Sequence, residues 1–120
     1  MRGVVLVFLF AATLSAVADT PWYSPYDAKN LVGQTAWVCG TIGSTRHARS
    51  VRGEPTYINL GPAYPDQVFT VVIWGSDRDQ FQYAPERLTG GLCVRGQVGM
   101  HAGVPQIIVR APQQIRRLGD

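Results

Sequence analysis

Val38-Cys39-Gly40-Thr41-Ile42 and Val94-Arg95-Gly96-Gln97-Val98 are the two stretches on which the fold turns. Both read V-x-G-x-[IV]. Each alternates with period two and sets a glycine among β-branched residues of one face, as expected of strands with one side buried. A glycine at the same point in two strands suits a sheet that bends sharply and brings its backbones close. Cys39, and Cys93 just before the second stretch, are one residue out of phase with these apolar sets. Both therefore point to the same side of their strands.

Working outward, the period-two pattern recurs. Ala36–Ile42 is the first predicted strand, and Thr56–Leu60 the second. Gln67–Trp74, rich in β-branched and aromatic residues, is the third and strongest. Leu92–Met100 and Val104–Arg110 are the fourth and fifth, joined by a tight turn at His101-Ala102-Gly103. Between the first two, residues 43–53 read as a polar, basic loop. Gly61-Pro62-Ala63-Tyr64-Pro65-Asp66 is turn chemistry, because two prolines and a glycine cannot continue a ladder. Ser76 is expected to cap a short helix running to about Phe81, and Asp27 another ending near Gly33. The tail from Pro112 is polar and suits one helical turn. In the third strand Phe69, Val71 and Ile73 share one face and Thr70, Val72 and Trp74 the other. Period alone does not choose the core face.

The N-terminus reads as an address. Arg2 supplies the positive charge, Val4–Ala12 an apolar run, and Ala16-Val17-Ala18 the small residues of a cleavage site. The run is interrupted at Thr13 and Ser15, too early for a membrane-spanning helix of ~20 residues. Residues 1–18 are expected to be a signal peptide, 19–33 an extended lead-in with a helical turn, and 34–117 the folded domain. Periplasmic or secreted localisation follows, with no membrane anchor after cleavage. A formal net charge of +3 over 120 residues does not demand a nucleic-acid partner. In an oxidising compartment the even pair Cys39 and Cys93 reads as a disulfide, with two half-buried thiols as the alternative.

Five strands with a short helix between the third and fourth is the order of an all-β, five-stranded OB-fold Greek-key barrel. The first V-x-G stretch, the Phe69–Trp74 strand, Gly91-x-x-Val94-x-Gly96 and the closing Gly103-Val104-Pro105-Gln106-Ile107 together resemble OB-fold domains of the nucleic-acid-binding type. The resemblance covers roughly residues 31–115. It is closest in character to small bacterial OB domains that stand alone in exported proteins or beside secreted nucleases of the micrococcal type. It implies that the first and fourth strands are neighbours, which would bring Cys39 near Cys93. It also implies a binding surface on the second and third strands, rimmed by the loops joining strands one to two and four to five.

On that surface the expected ligand-binding residues are Arg46, His47, Arg49 and Arg52 in the basic loop 44–53, Tyr57 and Trp74 as outward aromatics, Arg78, and His101. Arginines would meet phosphates and aromatics would stack bases. The expected partner is single-stranded or flexible nucleic acid, or an exported nuclease. The alternative is an assembly module for an envelope oligosaccharide, a small ligand or a protein. No spacing supplies a metal site, and no cofactor is expected. Ser24, Ser44, Ser50 and Ser76 lack a nucleophile motif. The acids form no general acid–base pair, and the arginine and carboxylate motifs of the micrococcal nucleases are missing, so no catalysis is expected.

Overall fold

The computed structural model describes residues 20–119. The signal-peptide reading, residues 1–18, lies outside the described residues. Seven strands form one mixed sheet in the order β1-β2-β3-β4-β6-β5-β7, with β2 also paired to β5. They are β1 (Trp22–Tyr23), β2 (Thr35–His47), β3 (Thr56–Leu60), β4 (Thr70–Ile73), β5 (Gly91–His101), β6 (Val104–Ile108) and β7 (Ile115–Arg117). The five expected strands correspond to β2 through β6. The expected five-stave cylinder needs correction: β1 and β7 are added on the outside, and the two long strands β2 and β5 each pair with three others.

The first half of β2 pairs antiparallel with β5, from Thr35↔Gln97 to Thr41↔Gly91. Its second half pairs with β3, from Ile42↔Leu60 to His47↔Thr56, after a register shift between Ile42 and Ser44. β5 likewise leaves β2 at Gln97 and pairs with β6 from Val98 onward. β4 runs parallel to β6, Thr70↔Gln106 to Val72↔Ile108. The shift in β2 falls at Gly43, where a Cβ would collide with the Gly61 carbonyl oxygen and approach the Ala63 nitrogen at 2.9 Å. Only glycine lets the two backbones meet there.

Gly40 and Gly96 act differently from expectation. Gly40 lies before the bend; its missing side chain makes room for Pro25, whose Cγ is 2.5 Å from where a Cβ would stand. Gly96 makes room for Ile107, at 2.6 Å. Both serve close packing, and the turning of β2 belongs to Gly43.

Alternation then sorts the side chains. Val38, Ile58, Leu60, Phe69, Val71, Ile73, Leu92, Val94, Val98, Ile107 and Val109 are essentially inaccessible and form the core. Burying each stabilises the fold by roughly 1.5–3 kcal/mol. This settles the third predicted strand: Phe69, Val71 and Ile73 face inward. Cys39 and Cys93 are direct cross-strand partners and are bonded, with sulfurs 2.07 Å apart.

The connectors contain short 3-10 segments of one or two turns. Pro25–Asn30 places Ala28 and Leu31 in the core, which ties the lead-in to the domain. Asp27 lies inside this turn and Ser24 at its cap position. Gly75–Gln80 starts from Trp74, so Ser76 is inside it and does not cap. The tail turns at Pro112–Gln114 and then adds β7. Among the described residues no helix is long and apolar enough to cross a membrane.

Candidate binding groove

A groove of about 560 Å³ lies over the outer face of β3, β4 and β6. Its floor follows from period two. With Thr56, Ile58 and Leu60 turned inward, Tyr57 and Asn59 face out. With Val71 inward, Thr70 faces out, and with Pro105 and Ile107 inward, Val104 and Gln106 do. Ser44, Thr45 and Arg46 from the second half of β2 form one side, with His101 and Ala102 from the β5–β6 turn. Tyr64 and Gln67, from the chain between β3 and β4, also line it. The turn is tight because Ala102 and Gly103 both take positive φ, +50° and +81°, a two-residue hairpin geometry.

The floor is held by one chain of hydrogen bonds. The Thr70 hydroxyl donates to Asn59 Oδ1 at 2.7 Å, and Asn59 Nδ2 donates to Ser44 Oγ at 3.0 Å. Ser44 Oγ also accepts from the Tyr64 backbone N–H at 3.0 Å, which fixes the connecting segment against the groove. Tyr64 itself is exposed. Gln67 Oε1 is buried without a partner. A buried carbonyl left bare costs ~1–3 kcal/mol, so a donor arriving in the groove has a ready acceptor.

The structure divides the expected site residues. Arg46, Tyr57 and His101 line the groove. The expected loop at 43–53 is strand as far as His47, so Arg46 and His47 alternate and face opposite ways. His47 Nδ1 is 4.0 Å from Glu86 Oε2 and accepts from Arg49 Nε at 3.4 Å, on the far side from His101. His47 and His101 therefore do not share a site. Arg49 and Arg78 line a second cleft of about 620 Å³, with Tyr83, Glu86, Arg87 and Arg117.

Arg78 does not pair with Asp77 or Asp79, its chain neighbours. It donates to Glu86 at 2.8 Å and to the Thr56 hydroxyl at 2.7 Å. That contact holds the Glu86 carboxyl below its usual range, against the opposing effect of partial burial. Tyr83 packs edge-on to Phe81 with ring centroids 5.7 Å apart, and burial pushes its hydroxyl pKa up. Arg52 and Trp74 line neither cavity. The Trp74 ring covers Gly53 instead: a Cβ there would stand 2.9 Å from Trp74 Cε3.

Asn59, Gln67, Thr70 and Gln106 were not singled out by sequence reasoning. For Asn59, Thr70 and Gln106 the signal is present, as polar residues in the outward phase of otherwise apolar strands; Gln67 lies in the chain between β3 and β4, where no period marks it. Among the described residues no group of His, Cys, Asp and Glu side chains is arranged to hold a metal ion.

No family model matches this sequence, and no curated protein does. Solved structures do match it. One is a chain assigned as an aspartyl-tRNA synthetase from Leishmania major Friedlin, at TM-score 0.53 and 14% identity, covering 83% of this chain. This chain spans only 21% of that one. A second is the S. pombe Stn1–Ten1 complex, at TM-score 0.50 and 17% identity over 72% of this chain and 59% of that one. A third is the OBody AM1L10 bound to hen egg-white lysozyme, at TM-score 0.56 and 16% identity over 86% of this chain and 97% of the other. At these identities the likeness is one of fold, and with the strand pairings above it makes this chain an OB-like, mostly β domain.

Proposed function

We propose that the chain is an exported OB-fold binding module that takes single-stranded or flexible nucleic acid in the groove over β3, β4 and β6. The observation that carries this reading is the groove's composition. Tyr57 and exposed Tyr64 offer aromatic faces, Arg46 one cation, and Asn59, Gln67, Thr70 and Gln106 hydrogen-bonding groups, all lining one open trough. A strand whose bases stack on tyrosine while its backbone passes an arginine needs this set. The fold neighbours do not choose a ligand. One is named as a tRNA synthetase, and another is bound to a protein, lysozyme. The disulfide suits an oxidising compartment, in keeping with the leader. The reading is of a binder without catalysis of its own, in line with the sequence, whose serines and acids carry no motif for a nucleophile with its base.

The groove's single arginine makes the salt dependence shallow. Fluorescence anisotropy of a labelled oligonucleotide should give a log–log slope near that of one phosphate contact, about −0.7 for a single strand. Arg46→Ala should remove most of that slope. No binding at low salt would end this reading.

A second reading has its own support. The Ser44–Asn59–Thr70 chain and the bare Gln67 oxygen form a neutral, amide- and hydroxyl-rich floor suited to an envelope oligosaccharide. Groove binding of glycan fragments with no response to oligonucleotides would favour it.

A further inference from the structure

We propose that the second cleft is a phosphate-binding site, separate from the groove. Four arginines line it, Arg49, Arg78, Arg87 and Arg117, against one carboxylate, Glu86. They come from four parts of the chain: the residues after β2, the Gly75–Gln80 turn, the Pro85–Arg87 turn and β7. Folding therefore gathers cations that the sequence scatters. Such convergence is electrostatically unfavourable unless an anion offsets it.

Glu86 does not fill that role alone. Its two oxygens lie 2.8 and 3.5 Å from the two terminal nitrogens of Arg78, so one arginine already compensates its charge. Arg87, and Arg49 beyond the Nε–H that it donates to His47 Nδ1, present planar forks, whose spacing matches phosphate oxygens better than an ammonium does. Tyr83 adds an exposed ring and a hydroxyl donor beside them. The only aliphatic side chains in the lining are Ala84 and Leu88. A small multivalent anion needs no more apolar surface, whereas a peptide would need an apolar anchor. None of these residues lines the groove, so the inference stands apart from the nucleic-acid reading.

The phosphate could be free or could end a nucleic-acid strand; the chemistry at the arginines is the same. The test is an NMR titration of the ¹⁵N-labelled protein with inorganic pyrophosphate, against sodium chloride at matched ionic strength. Saturable shifts are expected at Arg49, Tyr83 and Arg87 and none at Tyr57. Arg49→Gln combined with Arg87→Gln should weaken binding at least tenfold while leaving the melting temperature unchanged, and Arg87→Gln alone should give part of that loss. Tyr57→Ala should leave pyrophosphate binding intact, which separates this site's failure from the groove's. Shifts no larger than those from chloride, or equal affinity in the double variant, would overturn the proposal. Given pyrophosphate binding, tighter binding of a 5′-phosphorylated than a 5′-hydroxyl oligonucleotide, lost in the double variant, assigns the strand end as the source. Equal binding of the two oligonucleotides assigns free phosphate.

Discussion

Two cavities of nearly equal size lie on either side of the end of β2, and they are chemically unlike. The groove is lined by hydroxyls, amides and tyrosines with Arg46 as its one arginine. The second cleft holds four arginines and a glutamate. One step along the strand, from Arg46 to His47, crosses from the first side to the second. The run Arg46-His47-Ala48-Arg49 looks like a single basic patch when read along the chain. In the fold Arg46 lines the groove and Arg49 the second cleft.

The most forceful way to break the comparison is to remove what both sites share. Each depends on the β2–β5 ladder that the Cys39–Cys93 bond ties together across a sequence separation of 54 residues. In the chain-entropy account a loop of that length is worth about 4 kcal/mol. Cys39→Ser with Cys93→Ser should lose that much in urea denaturation and weaken both sites together. Loss at one site alone would show that they do not share this support.

Tyr57→Ala should separate them. Removing a base-stacking aromatic costs roughly 1–3 kcal/mol of binding. Oligonucleotide affinity should fall about tenfold or more, with the fold's stability little changed because the ring is only half-buried. If affinity is unchanged, the stacking role belongs to Tyr64 or to no residue of the groove.

The cleft is sharpened by pH. The folded-state pKa of Glu86 is depressed below 4.5, first by its hydrogen bond from Arg78. Its contribution to stability is therefore complete above the unfolded pKa and is lost as pH falls through the folded value. Exposure keeps that contribution within about 1 kcal/mol. Glu86→Gln should flatten the loss of stability below about pH 4.5. An unchanged acid limb would place the pairing elsewhere.

The smallest effect is expected at Arg52, which is exposed and lines neither cavity. Arg52→Ala should change stability by no more than about 0.5 kcal/mol and leave both binding activities as they are. A clear loss of oligonucleotide affinity would mean that the ligand runs beyond the groove toward the loop at 48–55.

Local pattern carried much of the architecture. Alternation located β2 to β6, the paired V-x-G stretches marked the ladder that holds the disulfide, and Ala102-Gly103 announced its hairpin. β1 and β7 were not legible. Strands of two and three residues have no period to read, and they exist because β2 and β5 each offer an edge. The extension of β2 to His47 was hidden too, since Ser44, Thr45, Arg46 and His47 carry no apolar residue and one strand face there is open to the groove.

Residue order alone was enough to place the period-two strands and to set Cys39 and Cys93 on matching sides of theirs, because side-chain phase is a property of neighbours in sequence; that the two strands are neighbours was implied by the OB-fold resemblance, and the bond itself was decided by the fold. It could not say that Arg78 belongs with Glu86 and Thr56, that Asn59 belongs with Ser44 and Thr70, or that Arg49 and Arg46 part company. Those pairings join residues far apart in the chain, or depend on where a strand ends. The contact of Asn59 with Ser44 follows from the bend at Gly43, past which the end of β2 pairs with β3 instead of β5.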